Sequence, residues 1–441
     1  MGRGGPVSPP FFGSPSLLPS SLRMPRILGL LRGEPRARRF FAAYAQSSLG
    51  NGAGYVALVV LAYDRWHSPW AITLVLMADF VPAMVFGPVF GAAADRWSRR
   101  GAAVVADLLR AGAFIALGLV GGIWATVALA LVVGVGAGMF TPALLAGLPS
   151  LVDEERLPAA TSLYGAITDA GRTVGPALAA LVLTIASADT VVIANGVTFL
   201  ISAAVLATVS FGAVSRSERE GGPGVLAQAR EGVAAVARMR GIRTLVLASS
   251  GMILFGSMLN VAELLLAKAL HSGSVGYSML VAAAGGGFVL GSLSGARSAR
   301  LAQLKRRYLL GILLISLGLV AAVIPSYALA AAGLALTGYG NGLMLVNERL
   351  LCQRVVPQHL LARAFAVFDT AGSWGFAIAF LGAAAVLSLA GTRTVLLIAG
   401  IGALAIWALA SAALRATWSD ETTPAEDGVA VVPAAEPAPG A

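Results

Sequence analysis

Three aspartates stand inside long apolar runs: Asp79, Asp169 and Asp369. A carboxyl group away from water must bind a proton or find a cation, so each is a place where a proton can be taken up and released. At about 1.5 Å per helical residue, each lies ~14–15 Å from the nearer end of its run, close to the middle of a bilayer. Arg172 follows Asp169 at i+3, where a helix allows an ion pair. Asp169-Ala170-Gly171-Arg172 and Asp369-Thr370-Ala371-Gly372 begin 200 residues apart, as equivalent positions of two related halves would. Asp79, Asp169, Asp369 and Arg172 are therefore proton-coupling candidates. The plainer alternative for each is a neutralised structural group that ties its helix to a neighbour.

A second constellation closes an apolar run with Gly87, Gly91, Asp95, Arg96, Arg99 and Arg100. On a helix Gly87, Gly91 and Asp95 share one face. Small residues at that spacing let another helix approach closely in lipid, and the arginines mark a cytoplasmic turn. Asp95 is expected to cap a helix end or pair with an arginine, as a latch between states. The glycine pattern returns at Gly287, Gly291 and Gly295, ahead of Arg297, Arg300, Lys305, Arg306 and Arg307. Asp107 and Arg110 form a further i, i+3 pair near the first copy, expected to serve this gate structurally rather than transport. Gly171, Gly175 and Pro176 predict close packing and a bend, because proline removes a backbone donor.

For a ligand surface the sequence offers Asn51, Tyr55, Phe140, Met252, Phe255, Asn260, Tyr339, Asn341 and Trp374. These polar, aromatic and thioether residues lie near mid-run, and a mostly apolar pocket with a few polar groups suits a bulky amphiphile. Ordinary packing against helix or lipid is the alternative for any one of them. No catalytic arrangement is legible. His67, His271 and His359 lack metal spacing, there is no phosphate-binding Gly-rich loop, and the lone Cys352 permits no internal disulfide. Cys352 is expected as a small packed residue near a helix end. No cofactor, metal or catalytic residue is expected, and the chain is not read as an enzyme.

The elements that must position these residues follow from composition. The chain is 57% hydrophobic and 12% charged, with a net charge of +10. That combination excludes a soluble domain. Its basic residues fall in short clusters between apolar runs, which excludes a nucleic-acid face. Twelve runs approach the ~20 residues that span hydrocarbon: 40–63, 70–94, 101–122, 124–148, 159–186, 189–211, 243–267, 273–296, 308–325, 327–349, 360–389 and 393–414. The fold class is thus an all-α membrane protein, with twelve transmembrane helices in two pseudo-symmetric six-helix bundles over 39–211 and 243–415. Of the 31 Lys and Arg, only Arg65, Lys268 and Arg393 fall in the loops of one side. The other side, with both termini, is therefore cytoplasmic.

Residues 1–38 read as a disordered cytoplasmic tail, with Met24 expected as the true start and 1–23 as an extension. The connection 212–242 carries an amphipathic segment from Val225 to Arg240, expected on the membrane surface. The segment 416–441 reads as a second disordered tail.

Gly91-Ala92-Ala93-Ala94-Asp95-Arg96-Trp97-Ser98-Arg99-Arg100 resembles the loop 2–3 signature of the major facilitator superfamily. The similarity runs from about residue 30 to 415. Ser48 to Gly52, Ala106 to Ala111, Arg172 to Pro176, Gly340-Asn341-Gly342 and Gln353 to Pro357 are similar to the drug:proton antiporter branch that includes macrolide efflux proteins and the enterobactin exporter. Asn51 departs from the acidic residue that members often carry there. Ala179-Ala180 replaces a glycine pair, and helix four lacks the arginine many proton antiporters place there. The resemblance implies a monomeric exporter in a bacterial inner membrane. It would exchange protons for a small amphiphilic drug or natural product by alternating access. Siderophore export on the same fold, and a non-transporting membrane sensor, are the alternatives. The Ala, Gly and Arg content with two lysines points to a high-GC bacterium, where such exporters often remove antibiotics.

Overall fold

A computed structural model describes residues 29–96, 98–209, 211, 225–296, 300–415 and 417–418. Regular structure among these residues is helical, and every one of the twelve apolar runs falls on helix. In chain order the helices are α1 (Pro35–Trp66), α2 (Pro69–Arg96), α3 (Arg99–Leu119), α4 (Ile123–Gly147), α5 (Leu157–Val182) and α6 (Ala188–Ala207). They continue with α7 (Val225–Arg238), α8 (Arg240–Gly256), α9 (Met258–Ala269), α10 (Gly273–Gly295), α11 (Leu301–Ala321), α12 (Tyr327–Val355) and α13 (Gln358–Ala413).

Two of these differ from the expected runs. The run 243–267 is divided at Ser257 into α8 and α9. The last two runs share α13, which is two helices divided at Gly391. Gly391 has φ 78°, a left-handed backbone that a side chain would strain, so the chain turns there without a loop.

Among the described residues, seven helical stretches are long and apolar enough to cross a bilayer. Neither α1 nor α5 is among them. Gln46, Ser48 and Asn51 interrupt the first, and Asp169, Arg172 and Thr173 the second. Helices α2 and α11 are not among the seven either, α11 because Lys305, Arg306 and Arg307 occupy its first turns.

The chain forms two compact units. One contains the described residues of Met1–Leu61 and Ala78–Ser215, the other those of Ala62–Met77 and Arg216–Ala441. In the first, α3 packs on both α4 and α6. In the second, α12 packs on α10 and α11, and α13 gathers α8, α9 and α11 around it. The corner between α1 and α2 belongs to the second unit. There Thr73 Oγ1 donates to the Phe380 carbonyl at 3.3 Å, and Lys268 Nζ pairs with Asp64 Oδ1 at 2.5 Å. Lys268 also lies over the Tyr63 ring, 4.6 Å from its centroid.

Small residues make the helix contacts, as expected where lipid is as apolar as the side chains. A Cβ on Gly287 would stand 2.0 Å from the Ala335 carbonyl oxygen, and one on Gly291 2.0 Å from that of Tyr339. The second glycine motif is therefore a backbone contact between α10 and α12. The segment Val225–Arg238 is helical and forms α7. Its Val236 is buried and Val233 exposed, and the helix packs on α13 and α8 of its own unit.

Candidate functional site

Within the first unit, α3 carries a buried ion pair. Arg110 Nη2 donates to Asp107 Oδ1, one turn back on the same helix. Asp107 is 0% exposed and Arg110 5%. The guanidinium lies between two rings, 4.0 Å from the centroid of Phe140 on α4 and 4.2 Å from that of Phe199 on α6. A desolvated cation over an aromatic face gains about 2 kcal/mol or more, which helps hold a charge that burial disfavours. Space for the arginine comes from α4. A Cβ on Gly136 would meet Arg110 Cγ at 2.7 Å and the Ala106 carbonyl at 3.0 Å. The Ser202 hydroxyl of α6 faces Asp107, whose Oδ2 is buried without a hydrogen-bond partner among the described residues.

Asp79 of α2 also packs against α4. A Cβ on Gly134 would touch the Asp79 carbonyl oxygen at 2.1 Å. Gly134 and Gly136 are two residues apart on α4, so Asp79 and Arg110 pack at similar depth against different faces of that helix. Asp79 keeps part of its surface accessible, whereas Asp107 keeps none.

An aromatic and hydroxyl series leads from Phe140 toward α5. Tyr44 of α1 stacks on Phe140 at 6.4 Å and on Tyr164 at 4.6 Å. Tyr44 and Thr168 share a hydrogen bond of 2.7 Å. Thr168 adjoins Asp169 in α5. The same two helices meet backbone to backbone. A Cβ on Gly52 would stand 2.1 Å from the Gly171 carbonyl oxygen, and one on Gly175 2.7 Å from Gly52 Cα.

The second unit carries its own buried carboxyl. Glu348 of α12 is 6% exposed and accepts a hydrogen bond from Ser249 Oγ of α8. Ser249 also bonds the Tyr308 hydroxyl of α11 at 3.0 Å. Cys352, buried as expected, lies one turn beyond Glu348. On α9, Glu263 is buried as well, with Oε1 lacking a hydrogen-bond partner among the described residues.

The family model described as Major Facilitator Superfamily matches residues 40–379. The chain belongs to the Major Facilitator Superfamily. Its long apolar helices are those of a membrane-spanning member. Multidrug efflux pump Tap of Mycolicibacterium fortuitum is 28% identical over 78% of this chain and 86% of its own length. Macrolide efflux protein A of Streptococcus pyogenes is 24% identical over 47% of this chain and 52% of its own. The uncharacterized transporter YfiS of Bacillus subtilis is 29% identical over 40% and 43%. The chain thus spans about half the length of these last two relatives. In the solved structures, a point mutant of nucleoside transporter NupG superposes with a TM-score of 0.71 at 12% identity, over 86% of this chain and all of that one. A bacterial homologue of the human lysosomal transporter Spinster gives 0.66 at 14%, over 88% and 99%. At these identities the likeness is one of fold.

Set on this superfamily fold, the residues singled out in the sequence separate. Asp169 is half-buried on α5 and Arg172 exposed, while Asp369 is exposed on α13. Gly171, Gly175 and Pro176 are buried, and α5 runs unbroken through Pro176. The surroundings of Gly87, Gly91, Asp95 and Arg96 lie outside what is described, although α2 continues through them. The cap of α3 is Ser98, whose Oγ accepts from the Gly101 amide at 3.0 Å. Arg99 is half-buried and Arg100 exposed.

Two of the expected ligand-surface residues are interior instead. Phe140 is 4% exposed because it lies under Arg110, and Met252 is 3% exposed on α8. Phe255 packs where a Cβ on Gly402 would meet its ring at 2.3 Å. Asn260 donates to the Ser257 carbonyl at 3.2 Å, across the α8–α9 break. Tyr55 lies 6.3 Å from the Phe80 ring, and Tyr339 is half-buried. Asn51, Asn341 and Trp374 are exposed. Spacing along α3 announced the Asp107–Arg110 pair. It could not announce Phe199 or Ser202, which arrive from a helix some ninety residues later. The Ser249–Tyr308–Glu348 group had only one signal, an acidic residue within an apolar run.

Proposed function

We propose that this transporter exports a small amphiphilic drug or natural product in exchange for protons, by alternating access, across a bacterial inner membrane. Both termini are cytoplasmic in this reading. The observation that carries it is the alignment with a named multidrug efflux pump over 78% of the chain. Carboxyls at membrane depth support the proton half, since such groups need a cation or a proton. Asp79, Asp169 and Asp369 are the proton carriers of this reading, with Arg172 beside the second. Asn51, Tyr55, Asn260, Tyr339, Asn341 and Trp374 remain the ligand-surface residues.

The test is accumulation of ethidium and of a macrolide in cells stripped of their own pumps. Cells carrying the gene should accumulate less of at least one, and an uncoupler should abolish the difference. Efflux that survives the uncoupler would remove proton exchange. Equal accumulation of both with and without the gene would remove drug export. At least one of Asp169→Asn and Asp369→Asn should abolish efflux at unchanged expression. Wild-type efflux in both would take these two residues out of the mechanism.

A further inference from the structure

We propose that Trp418 and Lys305 strap the end of α13 to the start of α8, and that this strap makes the linker helix α7 move as part of the second unit. The strap goes beyond the transport reading and depends on neither the cargo nor the proton.

Past α13 the chain stays on the second unit. Leu414 is 0% exposed and Trp418 4%. The Trp418 ring lies where the first turn of α8 has no side chain, since a Cβ on Gly241 would stand 2.2 Å from Trp418 Cζ2. Trp418 has φ 55°, a left-handed backbone that a bulky residue keeps only where its surroundings fix it. Lys305 of α11 supplies a second fastening. Its Nζ donates to the carbonyls of Leu414, at 3.0 Å, and Thr417. A cation is favoured there, because the last carbonyls of a helix lack partners within it. The Thr417 amide and hydroxyl donate to the same Leu414 carbonyl, at 3.3 and 3.0 Å. A ring in a glycine notch and an ammonium on two carbonyls thus hold the chain end to two different helices.

Helix α7 depends on what the strap joins. It has 14 residues, near the length at which a helix alone is marginal in water. Its Arg230, Val233 and Arg238 are exposed and its Val236 is buried. It packs on α8 and α13, the two helices whose ends the strap brings together. Met239 alone separates α7 from α8, and Gly241 follows two residues later. Arg243 Nη1 reaches back from α8 to the Ala237 carbonyl of α7 at 3.4 Å. With the strap closed, α7 belongs to the second unit, and the connection expected between the two bundles shrinks from 212–242 to 212–224.

Hydrogen–deuterium exchange of the purified full chain in lipid nanodiscs reads the strap through peptides over 225–242, against peptides over 327–355 of α12. Trp418→Ala and Gly241→Ala should each speed exchange over 225–242 by about tenfold or more and leave 327–355 as in wild type, since a local opening need not unfold the unit. Gly256→Ala, at the far end of α8 with nothing within 4 Å of its Cβ, should exchange as wild type does. Lys305→Met keeps the ring and loses the ammonium, and should speed 225–242 by about threefold or more. It carries the test if neither variant of the ring and its seat folds. Wild-type exchange over 225–242 in every strap variant that folds would overturn the proposal. Equal acceleration over 225–242 and 327–355 would overturn it too, because the strap would then stabilise the whole unit rather than hold α7. So would an acceleration in Gly256→Ala as large as that in Gly241→Ala.

Discussion

Arg110 is held from three directions, by Asp107 on its own helix, Phe140 on α4 and Phe199 on α6. The fourth side is closed by the absence of a side chain at Gly136. A methyl there would press on Arg110 Cγ, which can shift, and on the Ala106 carbonyl, which is backbone and cannot. Gly136→Ala should therefore destabilise the protein by about 1–3 kcal/mol, the usual range for overpacking. Thermal melting of the purified variant checks it. Gly112→Ala is the control, because nothing stands within 4 Å of a Cβ at that position. It should melt within a few degrees of wild type or slightly above it, since alanine favours helix over glycine by about 1 kcal/mol.

Helices α1 and α5 approach until their backbones touch, through Gly52 against Gly171 and Gly175. Neither helix is apolar enough to pass for a simple lipid-facing span, and both carry polar groups that a neighbour satisfies. Gln46 donates to the Thr198 carbonyl at 2.6 Å and Ser48 to the Ile167 carbonyl at 3.3 Å. Gly52→Ala should therefore lower the yield of folded protein and its melting temperature, while Gly165→Ala on α5 should not, as its Cβ would meet open space. Equal effects from the two would refute the contact. At the α1–α2 corner, the Asp64–Lys268 pair is half-exposed, at 47% and 32% of side-chain surface. Exposed pairs contribute about 0.2–1 kcal/mol. A double-mutant cycle of Asp64→Asn and Lys268→Gln should return a coupling in that range and shrink in high salt.

For the molecule as a whole, the twelve crossings expected from the sequence would put both ends of the chain on one side. Fusions of alkaline phosphatase and of a green fluorescent reporter after Arg415 should show fluorescence and no phosphatase activity, as expected of a cytoplasmic end. The reverse pattern would break either the count or the orientation. The clustering of Ala62–Met77 with the second unit shows that halves read from sequence and units read from contacts need not coincide. The division between related halves follows the repeat, whereas a contact unit follows whichever helix ends have met.

The sequence by itself determined the membrane class, the helical runs and the superfamily, because hydropathy, charge placement and the Gly91–Arg100 signature are all local. It also determined the Asp107–Arg110 pair, since i, i+3 neighbours meet on any helix. Only the tertiary structure decided what surrounds that pair. Phe140, Phe199 and Ser202 come from two other helices, and no spacing within one helix encodes which side chains a neighbour presents. The same reason moved Phe140 from an expected ligand surface to the underside of an arginine. Burial is a property of packed helices, and a periodic pattern in one of them says only which face is apolar.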